Sequence, residues 1–177
     1  KIAMIIDDGP VGIGIESTII DLTEETPMVL RPGFITPQML SEVLGTAVVM
    51  DPGIIAEGDT KKPKAPGMKY RHYAPKAGLI IVDGEEDAVV AKINELVLQG
   101  QREGKRIAVI ATEETKTKYH ADEVLCIGKR AKEEDIARHL YRILRECDAC
   151  QSDVIYSESF QTPRMGQAIM NRLLKAA

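Results

Sequence analysis

The sequence has few aromatic residues and no long apolar run. It contains no Trp and two Phe, although 44% of its 177 residues are hydrophobic. Its longest apolar stretches, such as Leu79–Val82 and Ile107–Ala111, are far shorter than the ~20 residues of a membrane-spanning helix. The opening residues Lys1–Asp8 reach two aspartates too early for a signal peptide. We therefore expect a soluble, globular, cytoplasmic protein with aliphatic cores and no membrane partner.

The chain also lacks a dominant charge and a complete set of cysteine ligands. Its formal net charge of −4 argues against strong nucleic-acid binding, although a local basic cluster at Lys61–Arg71 can still bind phosphate. Cys147 and Cys150 have C-x-x-C spacing. A zinc site needs two more ligands, and a redox pair belongs at the start of a helix, whereas this pair falls at the end of a predicted one. Reduced structural thiols are the better interpretation.

The second half of the chain alternates between strand and helix patterns. The predicted strands are Leu79–Asp83, Ile107–Ala111, Val124–Ile127 and Asp153–Ser157, and the predicted helices are Glu86–Gln99, Glu133–Cys147 and one that begins at Thr162 and Pro163. Strands joined through helices must run parallel, so this half is expected to be a small doubly wound α/β domain of Rossmann-like type.

In such a sheet, ligands bind beyond the carboxyl ends of the strands, at Thr112–Thr115, Gly128–Arg130 and Ser157–Gln161 in this chain. These polar loops either form a pocket or are ordinary surface loops. The second interpretation is favoured because they contain no phosphate loop, no metal-ligand set and no nucleophile with a partner base.

The first segment has a different pattern. The β-branched run Glu16–Leu22 and the run Met28–Arg31 predict a hairpin, and Thr36 and Pro37 then start a short helix that ends at Gly45. Residues 46–62 show no regular pattern. Units below about 40 residues rarely fold alone. We therefore expect the first 45 or so residues to be disordered, packed on the α/β half, or completed by a second copy in a homo-oligomer.

Two polar residues of this segment are candidates for ligand binding. Ser17 lies at the entry to a strand beside three glycines, where its hydroxyl could meet a small ligand. Arg31 ends the partner strand directly before Pro32 and Gly33, where its guanidinium could fork onto a phosphate. The structural alternatives are that Ser17 terminates a turn and that Arg31 is a solvated edge residue.

The stretch Lys64–Pro75 separates the two halves and does not resemble a passive linker. Its cations alternate with two aromatic hydroxyls, so an extended chain would offer donors and stacking faces to an anionic, planar ligand such as a nucleotide. The residues concerned are Lys69, Tyr70, Arg71, His72 and Tyr73. Alternatively, the tyrosine rings pin a connector onto a neighbouring domain.

Several stretches of the sequence match motifs of a known family, and they occur in the same order as in that family. They are Glu16–Asp21, Leu30–Gly33 followed by Ile35 and Thr36, Ala65–Pro75, and the closing Gly166–Ala177. Together they resemble the Sua5 family, the two-domain form of the Sua5/YrdC/YciO proteins. The match covers nearly the whole chain, and the motif between the two halves is the most specific part of it.

The resemblance implies L-threonylcarbamoyladenylate synthase activity, which is a nucleotidyl transfer. Threonine is carboxylated with bicarbonate, and the carbamate attacks the α-phosphate of ATP to give threonylcarbamoyl-AMP and pyrophosphate. This product would feed downstream proteins that place the N6-threonylcarbamoyl group on an adenosine of tRNA. Cations and Mg²⁺ must neutralise the triphosphate, so Mg²⁺ is expected for the whole enzyme. The resemblance assigns no catalytic residue or metal ligand to this chain.

Site residues are carried over by position. Ser17 matches a threonine contact and Arg31 matches an ATP contact. Tyr70 matches a nucleotide contact in a linker that folds over the catalytic cleft, with His72 and Tyr73 as further candidates. The linker would then act as a lid that keeps water from a labile mixed anhydride.

The resemblance also divides the chain. Residues 1–46 would be the C-terminal remnant of a YrdC-like catalytic domain, residues 47–77 an interdomain linker, and residues 78–177 the Sua5 domain. The Lys-x-Arg and Ser-x-Asn motifs that supply most of the family's substrate contacts would lie upstream. We therefore expect this fragment to be inactive alone. One alternative is a non-catalytic regulatory or interaction module, and another is a stand-alone Rossmann-like enzyme that uses the loops after the C-terminal strands.

Overall fold

The computed structural model describes residues 2–9, 11–55, 73–161 and 164–177, which form two sheets with flanking helices. The strands are β1 (Ile19–Asp21), β2 (Met28–Arg31), β3 (Val49–Met50), β4 (Gly78–Val82), β5 (Ile107–Thr112), β6 (Glu123–Gly128) and β7 (Val154–Glu158). The helices are α1 (Pro37–Leu44), α2 (Pro52–Ile55), α3 (Glu86–Arg102), α4 (Glu133–Ala149) and α5 (Gly166–Ala176), with a 3-10 turn at Lys116–Lys118.

The second sheet confirms the predicted α/β domain. Its strands are all parallel and lie in the order β4–β7–β5–β6. The last strand in the chain, β7, is therefore inserted between β4 and β5, where Ile155 is the partner of both Leu79 and Ala108. No helix among the described residues is both long enough and apolar enough to cross a membrane.

Helices cover both faces of this sheet. The apolar residues whose spacing predicted these helices point into the two cores. On one face α3 buries Val89, Ile93 and Val97. On the other face α4, α5 and the residue before α5 bury the predicted positions Ile136, Leu140, Ile143, Leu144, Cys147, Met165, Ile169 and Leu173. Each fully buried Leu or Ile contributes about 1.5–3 kcal/mol of burial free energy, so these stripes hold the domain together.

The first segment contains the predicted hairpin and helix. Strands β1 and β2 pair antiparallel, with Ile20 opposite Val29. The Thr36 side chain accepts a hydrogen bond from the Met39 amide at 3.3 Å and caps α1. Gly45 ends this helix with φ of 67°, a left-handed conformation that glycine adopts without strain.

Residues 46–55, part of the range in which the sequence shows no regular pattern, contain two short elements. Val49 and Met50 form β3, which runs parallel to β2 with Val49 opposite Met28, and Pro52–Ile55 form α2. A two-residue strand is too short to show a hydrophobic period, so only its pairing reveals it. The domain boundaries stay predictions, as does the assignment of the first segment to a YrdC-like domain.

Part of the first segment packs on the α/β domain, which is one of the three expected outcomes. Gly14 lies so close to α4 that an added Cβ would be 2.3 Å from the Cα of Arg138. The Arg138 Nε donates to the carbonyl of Gly12 at 3.1 Å, and Ile15 packs against the core under α4 and α5. The hairpin is thereby placed beside α4 and α5.

Candidate functional site

The hairpin brings Ser17 and Arg31 together. The Arg31 Nε donates to the backbone carbonyl of Ser17 at 2.9 Å, while the Ser17 side chain is exposed. The contact follows from strand pairing, because Ile19 lies opposite Arg31 in the β1–β2 ladder. Arg31 is therefore a half-buried, oriented guanidinium and not a freely solvated edge residue.

A close turn holds the backbone on either side of Ser17. A Cβ added at Gly33 would be 2.5 Å from the carbonyl oxygen of Glu16 and 2.6 Å from the amide nitrogen of Thr18. The Thr18 hydroxyl donates to the carbonyl of Ile35 at 2.7 Å. A glycine is required at this approach, and the turn after β2 thus fixes the backbone that carries Ser17.

Glu16 connects this turn to the α/β domain. Its Oε2 accepts a hydrogen bond from the Arg172 Nε at 2.6 Å and another from the Tyr141 hydroxyl. Burial raises the pKa of Glu16, but the hydrogen bonds from Tyr141 and Arg172 and the positive charge of Arg172 outweigh it, so the pKa lies below its usual value. The carboxylate is therefore ionised at neutral pH.

Positive charge accumulates around that carboxylate. Arg172 is buried, its Nη1 donates to Asn171 at 2.8 Å, and its Nη2 is buried without a hydrogen-bond partner in the described part of the chain. Burial and the charge of Arg172 lower the pKa of Lys175 to about 8, with a smaller contribution from Arg31, while Glu16 acts in the opposite direction. Glu16, Arg31 and Arg172 all act electrostatically on Lys175, and we call these four residues the junction cluster.

Tyr73 lies beside this cluster, because its ring contacts Tyr141, whose hydroxyl binds Glu16. Its ring centroid lies 4.4 Å from that of Tyr141, with the rings tilted by 48°. Its φ of 58° is uncommon for a bulky residue and costs about 1–3 kcal/mol, so the contact is held in spite of local strain. Of the predicted site residues, Ser17, Arg31 and Tyr73 are placed in or beside this cluster, whereas Tyr70 and His72 lie outside the described residues.

Sequence reasoning missed Glu16, Tyr141, Arg172 and Lys175 as members of a site. Glu16 and the two α5 residues lie within motifs quoted for the family resemblance, so the signal was present. The sequence does not show, however, that the first and last of these motifs meet in space.

The predicted loops at the carboxyl ends of the parallel strands do converge. The carboxylate of Glu158 is buried at the end of β7. It accepts hydrogen bonds from the hydroxyls of Tyr119, at 2.8 Å, and Thr115, and it pairs with Arg130. Burial and the charge of Glu158 raise the pKa of Tyr119, which keeps its hydroxyl a donor.

A cavity of about 150 Å³ lies beside this network, lined by Gly84, Glu86, Val89, Arg130, Glu158 and Ser159. Both oxygens of Glu158 are already used by the protein. The convergence is therefore first of all a structural network that closes this end of the sheet.

Neither the thiols nor the acidic residues form a metal site in the described ranges. No group of three or more His, Cys, Asp or Glu side chains there could hold an ion. Cys147 is buried in the core and Cys150 caps the end of α4, where the C-x-x-C pair was expected. Burial raises the pKa of Cys147 to about 12, so its thiol is protonated at neutral pH.

Comparison with known proteins finds relatives that share one protein name. Threonylcarbamoyl-AMP synthase of Bacillus subtilis is 43% identical over 177 residues, which is 100% of this chain and 49% of the relative. The protein of the same name from Pyrococcus abyssi is 44% identical over 178 residues, covering 100% of this chain and 50% of the relative. The chain thus spans about half the length of the curated relatives it matches.

Solved structures agree with this relationship. Pyrococcus abyssi Sua5 complexed with L-threonine matches 96% of this chain and 48% of its own, with a TM-score of 0.84 and 42% identity. A variant of that protein, with alanine in place of a histidine and the tyrosine after it, matches 93% of this chain and 45% of its own, with a TM-score of 0.81 and 42% identity. The model of the family described as "Threonylcarbamoyl-AMP synthase, C-terminal domain" matches residues 35–177, most of the chain, and the chain therefore belongs to that family.

Proposed function

We propose that this chain is the C-terminal part of an L-threonylcarbamoyladenylate synthase that converts threonine, bicarbonate and ATP into threonylcarbamoyl-AMP and pyrophosphate. In this proposal the enzyme is a cytoplasmic nucleotidyltransferase whose product serves tRNA-modifying proteins. The observation that carries the proposal is the hydrogen bond from Arg31 to Ser17 at 2.9 Å, which joins the two residues assigned to the two substrates. Family membership and the named relatives support it.

Ser17 contributes an exposed hydroxyl to the threonine side of the site. The solved complex of the Pyrococcus abyssi relative with L-threonine supports a threonine site in this family. Arg31 contributes a guanidinium that is oriented through its Nε, so that its outer nitrogens can fork onto phosphate oxygens of ATP. Held this way, the carbamate oxygen and the α-phosphate are brought into line, and positioning supplies most of the acceleration.

The linker residues Tyr70, His72 and Tyr73 would cover the nucleotide. A histidine and the following tyrosine were replaced together in the Pyrococcus abyssi variant, and His72–Tyr73 is the only His-Tyr pair in this sequence. The tilted contact between the rings of Tyr73 and Tyr141 would hold one end of this cover in place. Closure would exclude water from the mixed anhydride.

Magnesium belongs to the proposal as a companion of ATP. When bound, it would neutralise charge on the phosphates as they separate. The described residues contain no cluster of ligands for a metal ion, so this part of the chain would contact the phosphates through its own cations.

A fusion protein tests the proposal. The half of the Bacillus subtilis relative that this chain does not match is placed before residue 1, and pyrophosphate release is measured with threonine, bicarbonate and ATP. The fusion should release pyrophosphate only when threonine and bicarbonate are both present, whereas the 177-residue chain alone should not. A folded fusion without threonine-dependent release would overturn the assignment.

The hydrogen-bonded network around Glu158 is consistent with a structural or interaction role for the α/β domain itself. Titration calorimetry of the chain with ATP, AMP and threonine separates this role from substrate binding. An interaction module should give no heat with any of them, whereas heat with ATP would support the proposed function.

A further inference from the structure

We propose that Glu16 is a positioning residue for threonine, and that it places the neighbouring Ser17 through its bonds to Tyr141 of α4 and Arg172 of α5. This deepens the proposed function, on which the identification of threonine as the ligand of Ser17 rests. The α/β domain thereby takes part in substrate binding through the turn that carries Ser17.

The first observation concerns the two residues that flank Ser17. The Glu16 Oε2 accepts a hydrogen bond from the Arg172 Nε at 2.6 Å, and the Thr18 hydroxyl donates to the carbonyl of Ile35 at 2.7 Å. The Ser17 side chain between them is exposed. Because consecutive residues share planar peptide units, anchoring both neighbours restricts the orientation of the Ser17 backbone.

The second observation is where the partners of Glu16 come from. The contacts that Arg31, Gly33 and Thr18 make with the turn all lie within residues 16–35, so they fix the turn relative to the hairpin. The two donors to Glu16 come instead from α4 and α5, and they are 125 and 156 positions away in the chain. Both donate to the same oxygen, Oε2, and the carboxylate therefore ties the turn itself to the α/β domain.

The third observation is the burial of the arginine. Arg172 is only 5% exposed, and its Nη1 is held by the side-chain oxygen of Asn171 at 2.8 Å. A charge-assisted hydrogen bond to a buried, oriented guanidinium is stronger and more directional than one at an exposed site. The bond therefore holds Glu16 in one place, and a displacement of about 1 Å in a substrate contact is enough to weaken its action greatly.

The structural alternative is that the bonds of Glu16 only dock the α/β domain on the hairpin segment. Other contacts already serve docking, because Arg138 binds the carbonyl of Gly12 and Gly14 lies against the backbone of α4. A docking contact can lie anywhere on the segment. The bonds of Glu16 lie directly beside Ser17, which favours the positioning role.

Kinetics of the fusion protein test this role. Tyr141→Phe removes one hydroxyl donor to Glu16 and keeps the ring, and it should raise KM for threonine about 3-fold. Glu16→Gln should raise it about 5-fold. In both variants kcat and KM for ATP should change by less than about 2-fold, because only the placement of the threonine contact is altered.

Tyr119→Phe is the matched control. It also removes one hydroxyl bond to a carboxylate, that of Glu158 at 2.8 Å, but at the far end of the α/β sheet. It should leave KM for threonine unchanged. A rise in KM as large as that in Tyr141→Phe would show that loss of stability, and not misplacement of Ser17, is the cause.

A double substitution shows whether Glu16 acts through Ser17. In the Ser17→Ala background, Glu16→Gln should raise KM for threonine no further, because the hydroxyl that it places is already absent. Independent effects that multiply would overturn the positioning role. If Glu16→Gln does not fold, Tyr141→Phe carries the same test in the same background.

Hydrogen exchange of the 177-residue chain adds a readout that needs no activity. The amides of residues 16–22 should exchange faster in Glu16→Gln and Tyr141→Phe than in the wild-type chain, and at the wild-type rate in Tyr119→Phe. Unchanged exchange in the first two variants, or an unchanged KM for threonine in an active fusion, would overturn the proposal. Faster exchange in a chain whose fusion makes no product would support the placement of Ser17 by Glu16 while contradicting the proposed function.

Discussion

Glu16 and Arg172 are separated by 156 positions in the chain, yet Oε2 of the first and Nε of the second are 2.6 Å apart. The bond joins the turn that carries Ser17 to the last helix of the α/β domain. The Tyr141 hydroxyl binds the same carboxylate, and the Tyr141 ring contacts Tyr73, which precedes β4. One ionised side chain therefore connects the hairpin to two helices of the α/β domain, α4 and α5.

Neutralising Glu16 should destabilise the fold in a pH-dependent way. Its pKa in the folded chain is below the ordinary value of 4.5, so its charge stabilises the fold above that pH and ceases to do so as the pH falls through the lowered pKa. Glu16→Gln should lower the free energy of unfolding at neutral pH by about 1 kcal/mol, since the side chain is partly screened by water. Urea denaturation at a series of pH values measures this.

The difference between Glu16→Gln and the wild-type chain should shrink towards zero in acid. The matched control is Glu24→Gln, at an exposed position between β1 and β2, which should leave the unfolding free energy unchanged. A constant difference at every pH would show that the charge of Glu16 is not what stabilises the junction.

The contact between the hairpin segment and α4 can be tested by a pair of glycine substitutions. Gly14 and Gly9 both have positive φ, of 79° and 87°, but only Gly14 is crowded by the backbone of α4. Gly9→Ala should cost about 1 kcal/mol from backbone strain alone. Gly14→Ala should cost at least about 2 kcal/mol more, because an overpacked contact must open.

Limited proteolysis locates the effect of the Gly14→Ala substitution. Residues 2–22 should become accessible to protease while β4–β7 keep their protection. Equal behaviour of the two alanine variants would mean that the segment does not pack on α4.

The roles of Ser17 and Arg31 predict separate kinetic effects in the fusion protein. Ser17→Ala should raise KM for threonine about 10-fold, because one hydrogen bond is lost, and leave KM for ATP unchanged. Arg31→Lys keeps the charge but loses the planar fork, so kcat/KM for ATP should fall by about 10-fold or more. Thr23→Ala, in the exposed turn after β1, serves as the control. Effects of the two site substitutions on the same substrate would contradict the assignment.

The buried network at the end of β7 predicts a large loss of stability. Glu158→Ala removes the partner of Arg130 and leaves two hydroxyl donors without their acceptor, so the free energy of unfolding should fall by about 3–5 kcal/mol. Tyr119→Phe removes one donor and should cost about 1 kcal/mol. Thermal and urea unfolding measure both variants. A neutral Glu158→Ala substitution would show that the carboxylate is held there for a ligand and not for the fold.

Local signals in the sequence were sufficient for most elements. Thr36 and Gly45 marked the start and the end of α1 correctly, because capping depends on residues within one turn. The stripe of α4 faces the core because the helical period places its apolar residues on one side. Strand β3 was not predicted because two residues are too few to show a hydrophobic period. The roles assigned to Tyr70 and His72 remain predictions.

By itself, the sequence determined most of the secondary structure and the parallel α/β class, because these follow from short-range periodicity, caps and the pairing of adjacent strands. Only the tertiary structure decided that β7 enters between β4 and β5 and that Glu16 meets Arg172. The junction cluster brings together side chains from distant parts of the chain, and no local pattern records which distant surfaces pack together. That packing is set by the shape and burial of whole elements.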